Sequence, residues 1–274
     1  MLKQRLLTAL ILIPLIVWVF TLSSQTVAQV ISFITLLGAW EWAGLCGFHT
    51  RAKRAIYTIF IGIALFAIYW FWHQPSMVFL LTAACLWWLV ASLMILRYQQ
   101  GFLDTTVPKS PFIKALLGFF ILLPAWIAIV HLHGRNDGGQ WVLFLLILIW
   151  AADSGAYFVG KRWGRIKLAD KISPGKTWEG VMGALLIGSL VSLCYAVFKS
   201  MSLTIFLLFM LLCLLTVIVS IVGDLLESLF KRQMGIKDSG QILPGHGGVL
   251  DRIDSLTAAA PFFVMGLILL GLLF

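Results

Sequence analysis

The sequence predicts an all-α fold: a polytopic integral membrane protein of about nine transmembrane helices, N-terminus cytoplasmic and C-terminus outside. Three observations carry this. Of the 274 residues, 61% are hydrophobic and 11% charged, against about 45–50% and about 25% in a soluble domain. The apolar residues fall in runs close to the roughly 20 residues that a bilayer span needs. All but Arg135 and Lys199 of the 20 Lys and Arg residues fall in alternate connections, the asymmetry that marks cytoplasmic loops. Together these exclude an ordinary water-soluble protein and leave no room for a sizeable soluble domain.

The runs are Leu6–Leu22, Val27–Cys46, Ile56–Trp72, Met77–Leu96, Ala115–Leu132, Trp141–Val159, Val181–Phe198, Leu203–Val222 and Leu256–Phe274. The first follows Lys3 and Arg5 and imitates a signal peptide. No small-residue cleavage site follows it, so it reads as a span. The second carries an acid, Glu41, to which no role is assigned. Residues 1–140 hold about five spans, and residues 141–274 hold the rest with two long polar segments, 160–180 and 223–255. Both segments face the cytoplasm, whereas the outer connections near Ser23–Thr26, His73–Ser76, His133–Gln140 and Lys199–Ser202 are tiny. Chemistry therefore belongs at the inner surface of an inner-membrane-type protein.

The net charge of +9 is mostly topology, and no nucleic-acid partner is implied. Cys46, Cys85, Cys194 and Cys213 form no CxxC or Cys/His cluster, so neither a disulfide framework nor a zinc site is indicated.

Acids near a bilayer are costly and mark function. Asp153 lies about six residues inside the sixth run, roughly 9 Å below its cytoplasmic end. Asp224 and Glu227 follow the eighth run, and Asp251 and Asp254 precede the ninth. If the eighth helix continues, Asp224, Glu227, Ser228 and Lys231 share one face. If the ninth starts early, Asp251 and Asp254 share another. Five carboxylates at one depth admit two readings: a divalent metal with oxygen ligands, or ion pairs with neighbouring Lys and Arg.

Residues 228–254 alternate phosphate-type ligands (Lys231, Arg232, Lys237, Arg252) with metal-type ligands (Asp238, Asp251, Asp254). Pro244, Gly245, Gly247 and Gly248 let backbone N–H groups approach an anion, and His246 stands among them. The other segment, Ser173-Pro-Gly-Lys-Thr-Trp-Glu-Gly180, contains Gly-Lys-Thr but is not a phosphate loop. That loop requires glycine where this chain has Asp170, and no strand precedes it. Ser173, Lys176 and Thr177 remain candidates for phosphate contact.

From Ser228 to Asp254 the chain reads S-x-x-K-R-x4-K-D-x-G-x2-L-P-x-H-G-G-x2-D-R-x-D. This resembles the signature of the phosphatidate cytidylyltransferase, or CDP-diacylglycerol synthase, family. Asp153 through Gly180 resembles that family's other cytoplasmic element. The resemblance implies CTP and phosphatidic acid as substrates, CDP-diacylglycerol and pyrophosphate as products, Mg²⁺ dependence and a homodimer. It also implies metal-ligand roles for Asp224 and Asp251.

The resulting expectation is a transfer of CMP from CTP to phosphatidic acid by in-line attack on the α-phosphorus. Asp224 and Asp251, with Asp254 and Asp153, would hold Mg²⁺ and a second cation. Lys231, Arg232, Lys237, Asp238, His246 and Arg252 complete the catalytic group, and Ser228, Gly245, Gly247 and Gly248 join the phosphate contacts. The alternatives are a CTP-dependent lipid-alcohol kinase, which would release CDP rather than pyrophosphate, and a transporter, whose charges would lie near the midplane. A CDP-alcohol phosphotransferase is set aside because its D-G-x2-A-R pattern is absent.

Overall fold

The computed structural model describes residues 14–71, 74–102, 107–242 and 247–273, with the backbone alone at 74–76. Among the described residues, eight helices are long and apolar enough to cross a membrane. They are α1 (Ser24–Leu45), α2 (Arg51–Phe71), α3 (Gln74–Gln99), α4 (Pro111–His133), α5 (Gly138–Trp163), α6 (Trp178–Phe198), α7 (Leu203–Gln233) and α8 (Leu250–Leu269). The protein is a multi-pass, all-α membrane protein. Each helix matches one apolar run of the sequence. Of the remaining run, Leu6–Leu22, residues 6–13 lie outside the described residues together with Lys3 and Arg5, and residues 14–19 are helical.

Helices suit this composition because a bilayer offers no partner for backbone N–H and C=O groups, which a helix satisfies internally. Local signals set the boundaries. The Ser23 hydroxyl caps α1 by accepting from the Thr26 N–H at 3.2 Å, and Pro111 occupies the first turn of α4. Helix α2 buries only Tyr57, Ile61 and Leu65 and leaves Ile56, Ile59, Phe60, Ile63 and Phe66 exposed. In water such a face would drive aggregation; in a bilayer it is the lipid contact.

Two helix lengths position the site. At 1.5 Å per residue, the 31 residues of α7 span about 46 Å, against about 30 Å of hydrocarbon. Its last turns therefore carry Asp224 to Gln233 beyond the apolar run. Helix α8 begins at Leu250, six residues before its apolar run, so Asp251 and Asp254 are helical too.

Connections sort to two ends. At one, Lys199 pairs with Asp137 at 2.7 Å, joining the α4–α5 and α6–α7 turns. At the other, the Gln233 amide donates to the Pro108 carbonyl at 3.4 Å, and the Trp42 indole donates to the Lys114 carbonyl at 2.9 Å. Those bonds tie the end of α7 and the end of α1 to the start of α4.

The segment 160–180 differs from the sequence reading. A strand does precede Gly-Lys-Thr: β1 (Lys167–Ala169) pairs antiparallel with β2 (Ser173–Thr177), Lys167 opposite Thr177 and Ala169 opposite Ser173. The hairpin stands because its ends are held. Trp178 N–H donates to the Ile166 carbonyl at 2.9 Å, the Lys167 ammonium donates to the Pro174 carbonyl at 2.6 Å, and Ile172 is fully buried. Antiparallel pairing also confirms that this is no phosphate loop, which needs a strand running straight into a glycine-rich turn.

Helices α5 and α6, which flank the hairpin, pack through glycines. A Cβ on Gly183 would stand 2.6 Å from the Val159 side chain and 2.7 Å from the Gly155 carbonyl oxygen, so only glycine permits this approach. Gly183→Val is expected to lower stability by about 1–3 kcal/mol, read as a fall in the thermal midpoint of the detergent-solubilised protein. Gly62→Ala, whose added carbon would meet only Leu36 at 3.5 Å, is expected to leave the midpoint unchanged.

Candidate active site

The last turns of α7 form one wall of the site. Asp224, Glu227, Ser228 and Lys231 share a face, as their spacing predicts: the Ser228 hydroxyl donates to Asp224 Oδ1 at 3.2 Å, and Lys231 Nζ lies 3.1 Å from Glu227 Oε1. The first turn of α8 closes against it. Lys231 Nζ donates to Asp251 Oδ1 at 2.6 Å. Side-chain exposures of 8% for Lys231, 4% for Glu227 and 8% for Asp251 make this a buried triad.

Gly223 admits that closure. A Cβ there would stand 2.6 Å from the Asp254 carbonyl oxygen, so α7 and α8 touch backbone to backbone beside the carboxylates. The Asp251 oxygen not bound to Lys231 accepts from the Ser239 N–H at 2.9 Å, the Ser239 hydroxyl at 3.0 Å and the Gly248 N–H at 2.8 Å. Gly247 beside it has φ +82°, a conformation that glycine adopts without strain.

The hairpin supplies a second lysine. Lys176 Nζ lies 2.6 Å from Asp224 Oδ2, with side-chain exposures of 26% and 31%, so this pair is open to solvent where the first is not. Arg232 Nε donates to the Ile172 carbonyl at 3.1 Å and fastens the hairpin to α7. The Thr177 hydroxyl is engaged locally: it accepts from the Gly180 N–H at 3.1 Å and caps α6.

The sequence-predicted residues therefore largely converge. Asp224 is within electrostatic range of both Asp153 and Asp254, which brings α5, α7 and α8 to one place. Lys237, Asp238 and Arg252 are exposed, and Asp238 packs beside Gly247. Ser173 begins β2, paired with Ala169. Gly245 and His246, with Pro244, lie outside the described residues. The structure adds two residues that the sequence reading left without a role. Glu41, 2% exposed, accepts from the Val249 N–H at 3.1 Å and the Leu250 N–H at 2.7 Å. Ser239 Oγ lies 3.1 Å from Glu41 Oε2 and 3.0 Å from Asp251 Oδ2, and its single proton serves one of them at a time. An acid inside an apolar run was the signal for Glu41; Ser239 carries none.

The ion-pair reading of the carboxylates has direct contacts behind it. Ion pairs with Lys176 and Lys231 exist, yet five carboxylates outnumber the two lysines that reach them. Neither oxygen of buried Glu227 receives a hydrogen bond from the described residues; its contact with Lys231 is an ion pair without hydrogen-bond alignment. Among the described residues no three His, Cys, Asp or Glu groups stand close enough to enclose a metal ion. The donors are all oxygen and suit a hard cation that takes one or two carboxylates and completes its shell with substrate phosphate. A closed protein cage, of the kind that zinc occupies, does not fit.

Comparison with known proteins decides the family, because the match runs almost end to end: the Cytidylyltransferase family matches residues 3–270. The chain belongs to the cytidylyltransferase family. Among curated relatives, a phosphatidate cytidylyltransferase of Pseudomonas aeruginosa is 43% identical over 265 residues, covering 96% of each chain. One of Haemophilus influenzae is 37% identical over 284 residues, covering 96% of this chain and 97% of its own. A third, from Staphylococcus haemolyticus, is 40% identical over 163 residues, which is 57% of this chain and 61% of that one.

The two lysines of this family member sit in different surroundings, which gives a stability test. Removing one partner of a buried pair costs about 3–5 kcal/mol, whereas exposed pairs contribute about 0–1 kcal/mol. Lys231→Met is expected to destabilise by the larger amount, since it strands Glu227 and Asp251 together. Lys176→Met should cost no more than the smaller amount. Thermal unfolding of both variants in one detergent checks the order; equal losses would contradict it.

Proposed function

We propose that the protein transfers CMP from CTP to phosphatidic acid, giving CDP-diacylglycerol and pyrophosphate, at the cytoplasmic face of a bacterial inner membrane. What carries the reading is the meeting of α5, α7, α8 and the hairpin in one carboxylate–lysine cluster at a helix end, in a chain whose full-length relatives bear this name. The cluster lies at the end of the helices where the Lys- and Arg-rich connections gather. That supports a cytoplasmic placement, N-terminus inside.

The chemistry suits such a place. A phosphomonoester has a second pKa of about 6, so the lipid phosphate is already largely dianionic and needs no general base. An oxygen of that phosphate attacks the α-phosphorus of CTP; the new P–O bond forms as the bond to the β-phosphate bridging oxygen breaks, and pyrophosphate leaves. The acyl chains stay in the bilayer. The barrier is repulsion between two polyanions, so catalysis reduces to positioning and charge neutralisation.

This chain's residues divide the work. Lys176, exposed on the hairpin, exchanges Asp224 for a phosphate with little cost. Arg232, which touches the hairpin, and the exposed Lys237 and Arg252 would supply further cationic donors. Lys231 holds Asp251 and Glu227 in place from within. Asp224 and Asp251, with Asp254 and Asp153 behind them, would hold Mg²⁺ and a second cation; bound there, such ions supply charge to the triphosphate. The homodimer that the resemblance implies is part of the same reading.

The test is incubation of purified protein with phosphatidate, Mg²⁺ and CTP labelled at the α-phosphate. Label is expected in lipid, with one pyrophosphate released per lipid labelled. Release of CDP instead would identify a lipid kinase and overturn the proposal. Asp251→Asn is expected to abolish labelled lipid while the protein still inserts and purifies; wild-type turnover in that variant would remove Asp251 from the site.

A further inference from the structure

Glu41 belongs to α1, yet its carboxylate organises the start of α8. Leu250 opens α8, and the preceding Val249 offers no side-chain cap. The first N–H groups of any helix lack intrahelical partners, and negative charge is favoured beside them. Glu41 supplies both needs from another helix. Its Oε1 accepts from the Val249 N–H at 3.1 Å and its Oε2 from the Leu250 N–H at 2.7 Å.

The same carboxylate reaches the loop before α8. The Ser239 hydroxyl lies 3.1 Å from Glu41 Oε2 and 3.0 Å from Asp251 Oδ2, so one hydroxyl stands between the two acids. The loop has closed around Glu41 tightly. A Cβ on Gly240 or on Gly248 would collide with the Glu41 carboxylate, which explains glycine at both positions without appeal to backbone conformation.

We propose that Glu41 is a positioning residue: it caps α8 in trans and, by accepting the one Ser239 hydroxyl proton, holds residue 239 so that its backbone N–H orients Asp251. The activity arm of this proposal rests on the cytidylyl-transfer reading; the structural arm does not. Glutamine at position 41 keeps the shape but replaces one acceptor oxygen by an NH₂ group that cannot accept from a backbone N–H. Ser239→Ala removes only the hydroxyl.

The experiment uses the full chain in lipid nanodiscs, as wild type, Glu41→Gln, Ser239→Ala and the double variant. Backbone hydrogen exchange is expected to rise at Val249 and Leu250 in Glu41→Gln while the amides of α5 and α6 stay protected. The kcat for labelled lipid is expected to fall about ten- to a hundredfold, as for other residues that orient a cation-holding carboxylate. The double variant should be no slower than Glu41→Gln alone, since contacting residues in one network do not add. Unchanged exchange at Val249 and Leu250 would overturn the cap. Raised exchange with wild-type kcat, or losses that multiply in the double variant, would overturn the positioning role. Were even the wild type inactive, the exchange arm would still decide the cap, and the failure would fall on the reaction.

Discussion

The site depends on one ammonium group. Lys231 lies buried between Glu227 on its own helix and Asp251 on the next, at a depth where an uncompensated charge is costly. No other described lysine reaches either acid, so the end of α7 and the start of α8 must meet around this side chain. Several features follow from that requirement. Helix α7 must outrun the bilayer to carry Lys231 clear of the hydrocarbon. Helix α8 must begin before its apolar run to present Asp251. Residue 223 must be glycine to let the two backbones touch.

The hairpin adds the complementary half. Its lysine meets Asp224 in a pair that stays partly wet, while Lys231 stays dry. A wet pair exchanges partners cheaply and a dry one does not, so on the proposed function Lys176 is the lysine free to take a phosphate and Lys231 the scaffold. The glycine-lined approach of α5 to α6 sets where the hairpin emerges, and Arg232 pins it to α7. Membrane packing and phosphate chemistry thus share the same small residues.

Much of this was legible in the sequence. The eight described spans follow the apolar runs, because run length and hydrocarbon thickness are one constraint. The shared face of Asp224, Glu227, Ser228 and Lys231 was readable from helical spacing, which depends on a single element. What spacing cannot show is which partner another element brings. Lys231 reads in sequence as a phosphate ligand, and the structure commits it to two carboxylates. Glu41 reads as a lone acid in an apolar run, and becomes a cap only when the start of α8 folds onto it. The hairpin escaped for a different reason. Ser-Pro-Gly-Lys-Thr has no apolar alternation, and it is held as a strand by Ile172 and by end contacts rather than by strand propensity.

On the proposed function, the carboxylate surplus at this helix end accepts a triphosphate only together with a hard cation. Equilibrium binding of CTP to the purified protein, with Mg²⁺ and then with the divalent ion chelated, tests it most directly. Measurable binding with Mg²⁺ and its loss on chelation are expected, because CTP alone would meet unneutralised carboxylates. Equal affinity in both conditions would contradict it and assign the phosphate contacts to the lysines and arginines alone.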